Sequence, residues 1–445
     1  MGKDVVVIGA GIVGLSIAYY AVRKGHRVRV LDRGAPASMG CSYGNAGMIV
    51  PSHFVPLAAP GMVALALRCM PDPESPFYLK PRPSADLAAW AWRFYRSANA
   101  EHVARAAPFL RDAHLRSRAL FQAWSEEWGE DFGFERRGLL MLCKTSHGLD
   151  DEAKTAEIGR ALGIPSELLS AADAMRLEPD LEMDVAGAVY FPLDCHLSPR
   201  KLMAALIGQL TKVGVRFSWE TRVEGWRVQN GRIAAARTSA GDIAADEYVL
   251  AGGVWSPELA RDIGHGLPME AGKGYSLTLD APPRLPRICA ILSEARVAMT
   301  PMDGSLRFGG TMELAGVDTE VDLARVRGIA DSVARYLPDF PVRIFQNVRA
   351  WCGLRPCSPD GLPYLGRWTE PLNLVVATGH AMMGVSLGPV TGQLVAEILS
   401  DEAPSIALDL VRPDRFASRR ERTRKREATP DAATADPTGS PLTDR

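Results

Sequence analysis

The stretch that most constrains this chain is "DVVVIGAGIVGLSIAYYAVRKGHRVRVLDRG", residues 4–34. Val5–Ile8 is an unbroken β-branched run, the pattern of a parallel strand covered on both faces, and Val28–Leu31 is a second such strand. Between them Val13, Ile17 and Ala21 recur at helical spacing. A helix is therefore predicted from Ile12 to Lys24, with Arg23 and Lys24 as a basic last turn and Gly25 as the stop. Strand, helix and strand make a βαβ unit, which commits this end of the chain to a doubly wound parallel sheet.

Gly9, Gly11 and Gly14 form G-x-G-x-x-G at the junction of the first strand and the helix. Gly9 permits a tight turn, Gly11 lets the backbone approach a pyrophosphate, and Gly14 allows close packing of helix on strand. Ile12 and Val13 then open a helix whose free N–H groups and partial positive charge suit phosphate. Asp32, followed by Arg33, closes the second strand at the spacing expected for an acceptor to an adenosine ribose hydroxyl. In this strand–helix–acid context the motif reads as a dinucleotide site rather than a merely tight turn.

A chain of 445 residues, 47% hydrophobic and 23% charged, can bury a large core or two domains. Its net charge of −1, with both signs interspersed, argues against broad attraction to nucleic acid or an anionic membrane, so small molecules are the expected partners. The seven cysteines show neither C-x-x-C pairs nor histidine partners at metal spacing, which suggests neither zinc nor a disulfide framework. An apolar strand begins within a few residues of Met1, without a signal-peptide pattern, and no run reads as a spanning helix of ~20 apolar residues. A cytoplasmic location, with at most peripheral membrane contact, is the expectation.

Further along, "ADLAAWAWRFYRS" and "HLRSRALFQAWSEEW" read as helices and "RRGLLMLCK" as a strand. A helix from about Pro199 to Val213 leads into alternating strands with turns at Asn230-Gly231 and Gly241-Asp242. Residues 286–315 read as an antiparallel meander turning near Asp303-Gly304, and a helix is expected near 322–336. The last ordered part is a strand ending near Gly379, a loop through Gly384 and a helix with Pro389 in its first turn. Such a helix could aim its dipole at a group that becomes anionic, and the pyrimidine edge of a reduced flavin is one, so FAD is favoured over NAD. The charged, then small and polar, stretch 413–445 is expected to be a disordered tail.

"CSYGNAGMIVP", "FPLDCHLSP", "YVLAGGVWSPEL", "GKGYSLTL", "MDGSLRFGGTMEL", "GLRPCSPDGLPYLG" and "ATGHAMMGVSLGPVTG" follow one another in an order that resembles the FAD-dependent D-amino-acid dehydrogenases of the D-amino-acid oxidase and glycine oxidase superfamily. The resemblance spans nearly all of residues 4–415. It implies a Rossmann-type α/β FAD domain (1–85, 150–265 and 345–412) interleaved with an α+β substrate domain on an antiparallel sheet (86–149 and 266–344). It also implies that Ser42, Asn45, Ala46 and Gly47 pass the isoalloxazine, that Val223 meets the adenine, and that Ala251 and Gly252 lie against the cofactor. Gly353, Gly379, Met383, Gly384 and Val385 would complete the flavin site.

The same resemblance gives Arg355 to the substrate carboxylate, a role its two-pronged guanidinium suits. The competing reading is an internal salt bridge, with Asp360 the nearest candidate. Tyr275 either adds a hydroxyl to that carboxylate or is a sheet tyrosine. His380 and His53 either line the active site or are hydrogen-bonded structural histidines. The implied reaction is hydride transfer from the Cα of a D-amino or imino acid, D-proline and D-hydroxyproline included, to flavin N5, with electrons passed to a quinone or redox protein. A glycine or sarcosine oxidase using oxygen, and a non-catalytic flavin-bearing subunit of a redox complex, are the alternatives.

Overall fold

The computed structural model describes residues 2–36, 40–70, 72–129 and 131–417. Its first sheet has six strands in the order Tyr364–Arg367, Leu374–Thr378, Glu247–Leu250, Asp4–Ile8, Arg27–Leu31 and Arg216–Ser218. All neighbours are parallel except the first pair. Alternation along the central strands explains why they are apolar throughout. Val5, Val7, Val28 and Val30 enter one core, shared with helices Ile12–Arg23 and Gly384–Leu399. Val6, Ile8, Leu31 and Tyr248 enter a second core on the other face. That second core is closed by the antiparallel strands Val223–Gln229, Arg232–Thr238 and Gly241–Ile243, whose Asn230-Gly231 turn has both residues at positive φ.

The second large sheet has nine strands. It begins at the edge strand Trp351–Cys357, continues through Glu270–Leu279, Ser305–Leu314, Val297–Met302 and Cys289–Leu292, and ends in Leu139–Cys143, Gly187–Phe191 and Glu167–Ser170, while Phe77–Leu79 pairs with Ser305–Leu314. Most of its pairings are antiparallel.

The expected partition of the chain is redrawn at several segments. Residues 77–79, 167–170, 187–191 and 351–357, assigned from sequence to the FAD domain, are strands of the nine-stranded sheet. Helix Ala100–Trp128, assigned to the substrate domain, packs on the dinucleotide side, where Trp124 stacks at 5.9 Å on Tyr20 and Arg116 bonds Gln393 at 2.9 Å. Sheet membership depends on long-range pairing, which the periodicity of one segment does not carry.

The last helix also differs from expectation. It begins at Gly384 and carries Pro389 in its interior. Residues 381–399 are apolar and long enough to cross a bilayer, against the expectation that no run is, yet most of that length is buried in the protein as a core helix. Of the expected tail, 413–417 is packed: Arg415 bonds Asp360, and Phe416 meets the Tyr364 ring edge-on at 6.1 Å. The remainder, 418–445, lies outside the described residues.

Candidate active site

The glycine turn forms as its spacing requires. Gly9 sits at φ 109°, and a Cβ on Gly14 would fall 1.9 Å from the Gly9 carbonyl oxygen, so only glycine lets the helix approach the strand. Neither helix Ile12–Arg23 nor Gly384–Leu399 has a side-chain cap from its own N-cap residue, Gly11 or Met383. Both N-termini face a cavity of about 520 Å³, within the range of cofactor pockets. Gly9, Gly11, Ile12 and Val13 line it at the first helix, and His380, Gly384 and Val385 at the second. Ala251 and Gly252 form part of its wall, and Asp32, Arg33 and Val223 line it together with Trp255. The Arg33 guanidinium lies 3.7 Å from the Trp255 ring centre. Asp32 accepts from the backbone N–H groups of Ala10 and Gly34, both at 2.7 Å, which fixes its carboxylate at the end of the strand.

Residues 40–47 bridge the two helix starts. Ser42 Oγ accepts from Ile12 N–H at 3.1 Å, and the Asn45 amide donates to the Met382 carbonyl at 3.5 Å. Ser42 and Asn45 line the cavity. Ala46 lies 4.0 Å from where a Cβ on Gly309 would stand, and Gly47, at φ 72°, packs on the Leu197 carbonyl. Gly379 packs on Tyr364, and Met383 Sδ contacts His114 Nε2 at 3.4 Å.

Sequence reasoning missed the residue that fixes this loop. Arg307, buried within strand Ser305–Leu314, donates to the carbonyls of Tyr43 at 3.1 Å and Asn45 at 2.8 Å. The available signal was a charge between Leu306 and Phe308, both fully buried.

Arg355 is not among the residues that line the cavity, but its strand neighbours Leu354 and Pro356 are, and its guanidinium lies within electrostatic reach of Cys41 in that lining. Its strand pairs with Glu270–Leu279 so that Arg355 is opposite Gly272. The guanidinium crosses that neighbouring strand at Gly274, where a Cβ would stand 2.1 Å from Nη2, and it donates to the carbonyls of Thr311 and Gly310. Thr311 is a β-branched residue at φ 65°, next to a register shift in the pairing of these strands. The bulge turns its carbonyl onto the arginine at a backbone cost of ~1–3 kcal/mol. No carboxylate pairs with Arg355 among the described residues, and enclosure by protein pulls its pKa below that of a free guanidinium. The salt-bridge reading fails because Asp360 belongs to Arg415, which grips both its oxygens at 2.7 and 2.8 Å.

Trp351, two residues before Gly353 on the same face, lays its ring against Gly353 and Gly44, and its indole N–H is buried without a partner among the described residues.

Tyr275 is corrected. It sits opposite Cys352, so its side chain leaves the opposite face from Arg355, and its hydroxyl donates to Glu313 at 2.5 Å. The histidines hold internal bonds. His380 Nε2 meets Thr391 Oγ1 at 3.0 Å, and burial pushes its pKa down to about 4. His53 Nδ1 meets Ser52 Oγ at 3.0 Å, and its pKa is likewise pushed down to about 4 by desolvation.

The residues present suit a flavin dinucleotide. Two helix N-termini, an acid at the strand end and the cavity that all three line match its phosphates, ribose and anionic ring edge.

Comparison with known proteins bears on the same point. The family model described as FAD dependent oxidoreductase (DAO) matches residues 4–398. A D-amino acid dehydrogenase of Granulibacter bethesdensis is 34% identical, over 90% of this chain and 97% of that protein. One of Agrobacterium fabrum is 31% identical, over 93% of this chain and 100% of its own. Among solved structures, glycine oxidase from Geobacillus kaustophilus superposes with a TM-score of 0.76 at 27% identity, covering 93% of this chain and 98% of that one.

Proposed function

Because the chain belongs to the DAO family of FAD-dependent oxidoreductases, we propose that it oxidises D-amino or imino acids, D-proline and D-hydroxyproline among them. One observation carries the substrate assignment: a guanidinium enclosed by protein, held by backbone carbonyls and lacking an acid partner among the described residues. Arg355 is half-buried, a cation withdrawn from water is costly unless paired, and a substrate carboxylate is the matching anion.

Arg355 orients the substrate through its carboxylate, while Gly274 leaves room for the guanidinium and Gly353 for the Trp351 ring. The unpartnered Trp351 N–H offers a further donor in the same space. FAD, when bound, supplies the acceptor for the Cα hydrogen as hydride. Arg307 fixes residues 43–45 against the sheet, so the cofactor side and the substrate side of the site keep their spacing. His380 and His53 stay neutral at physiological pH and serve in positioning.

Electrons pass to a quinone or a redox protein. Helix Met62–Cys69, apolar yet with no buried residue, and Trp92 and Tyr95, each 61% exposed, support peripheral contact with the inner face of a membrane. The test is a screen of D- and L-amino acids, imino acids and N-methylglycine, following bleaching of the flavin band without oxygen. Bleaching by D-amino acids, with no peroxide formed in air, is expected. Selective bleaching by glycine or N-methylglycine with peroxide in air would favour the oxidase reading that the 27% identical glycine oxidase suggests.

A further inference from the structure

Glu270–Leu279 and Trp351–Cys357 carry Arg355 on one face and an unexplained charge cluster on the other. Lys273, 2% exposed, is in that cluster. Its ammonium reaches Glu313 at 3.5 Å, the Asp318 carboxylate at 2.9 Å and the Glu320 carbonyl at 2.9 Å. Tyr275 donates to Glu313 and accepts from the Asp322 N–H at 3.4 Å. The Cys352 thiol donates to the Thr319 carbonyl at 2.9 Å. Apart from Glu313, the partners of these side chains lie in one segment, 318–322, which connects strand Ser305–Leu314 to helix Leu323–Tyr336.

That segment touches the cofactor cavity. Thr319 lines it beside Leu354 and Pro356 of the edge strand. A lysine used only as core filling would be better replaced by an apolar residue, since burying an ammonium costs several kcal/mol unless it is fully paired. Here the pairing is made largely with a connection that is tied to the following helix at Asp322, its N-cap, while residues 318–321 belong to no strand or helix.

We propose that Lys273, with Asp318 and Tyr275, is a latch that pins residues 318–322 against the edge of the cavity and thereby slows escape of the cofactor. The proposal rests on FAD occupying that cavity. Lys273 and Tyr275 are positioning residues: they act through Thr319 and its neighbours, and they stand on the face turned away from Arg355.

Asp318 is the place to test it, because its side chain is 30% exposed and its loss leaves Lys273 with Glu313 and the Glu320 carbonyl. Holoprotein carrying Asp318→Asn is expected to release FAD about tenfold faster, read from the rise in free-flavin fluorescence after dilution. Amide hydrogen exchange should quicken in 318–322 alone, and Asp318→Glu should restore much of the retention. Lys273→Met paired with Glu313→Gln removes the latch without leaving a buried carboxylate unpaired, and should release FAD at least as fast. Wild-type release rates in both Asp318→Asn and the folded double variant overturn the latch. Wild-type protein that takes up no FAD overturns the cofactor assignment together with the latch.

Discussion

Arg355, on a strand of the nine-stranded sheet, and Arg415, in the turn that packs on strand Tyr364–Arg367 of the six-stranded sheet, are both half-buried arginines, and the chain treats them differently. Arg415 grips both oxygens of Asp360, donates to the Leu362 carbonyl at 2.8 Å and lies 4.0 Å from the Tyr364 ring centre. Its charge is matched within the fold. Among the described residues Arg355 has only the carbonyls of Thr311 and Gly310 and the Met312 sulfur. Carbonyl dipoles fix its direction without cancelling its charge, which leaves the guanidinium free to take an anion from outside. An internally paired cation serves stability, and an unpaired one is held ready for a ligand.

The difference is broken most severely at Arg415. Arg415→Leu leaves the Asp360 carboxylate buried without a counter-charge and should cost ~3–5 kcal/mol of stability. Adding Asp360→Leu should recover most of the loss, because replacing a whole buried pair by apolar residues is often neutral. Chemical denaturation of both variants measures this. A double variant as unstable as the single one would show that Arg415 matters through Tyr364 and Leu362 instead.

Arg355→Ala should behave in the opposite way. No internal acid is orphaned, so the unfolding midpoint should barely move, while kcat/KM falls by ~10²–10³-fold, corresponding to ~3–4 kcal/mol for a lost charge partner. Arg355→Lys should recover only part of the activity, since an ammonium lacks the planar fork. Steady-state kinetics on the best substrate decides it, and wild-type efficiency in Arg355→Ala would remove the carboxylate assignment.

How much of this was legible beforehand follows from the range over which each signal acts. The first βαβ unit is local: the predicted helix 12–24 is observed at Ile12–Arg23, and the predicted strands fall within Asp4–Ile8 and Arg27–Leu31. Turns at Asn230-Gly231 and Asp303-Gly304 were equally readable, since their residue types supply the positive φ that the turns need. The facing of Tyr275 was not. Arg355 and Tyr275 are 80 positions apart, and which face each side chain takes is decided by the register of Gly272 on Arg355, a relation that neither strand encodes alone. Arg307 and Lys273 were overlooked for the same reason: a charge in an apolar strand has meaning only once its partners on distant segments are known.

Protons sharpen the contrast between groups that must keep their charge and groups that can lose it. His114, His196 and His380 are buried, and desolvation pushes them down to about 3, 4 and 4. Folded, they stay neutral as the pH falls, whereas the unfolded chain takes up protons near 6.5, so their contribution to stability is lost between pH 6.5 and about 4. Asp194 works against this. Burial raises it to about 7, so the fold favours its protonated form and gains from acid down to the unfolded value of 3.8. Three histidines outweigh one acid, His53 acts in the same direction as they do, and a net loss of roughly 3 kcal/mol or more from pH 7 to pH 5 is expected in thermal unfolding. A flat profile over that interval would mean that water reaches these rings.

The finest test moves the Arg355 guanidinium without touching its charge. A Cβ at Gly274 would stand 2.1 Å from Nη2 and 2.3 Å from Cζ, so Gly274→Ala must push the guanidinium aside. The displaced atoms are the end of a flexible side chain, and Gly274 is not among the residues at positive φ, so the backbone accepts alanine and the stability cost should be small. Substrate binding should suffer instead, with KM rising about tenfold, a change of ~1.4 kcal/mol. Gly272→Ala on the same strand is the comparison: its Cβ would meet Met312 and Cys357 at 2.4 and 2.8 Å and would reach Arg355 only through the Met312 sulfur, so it should lower stability more and raise KM less than Gly274→Ala. If both variants shift KM alike, the path across Gly274 is not what seats the guanidinium, and the carbonyls of Gly310 and Thr311 hold it by themselves.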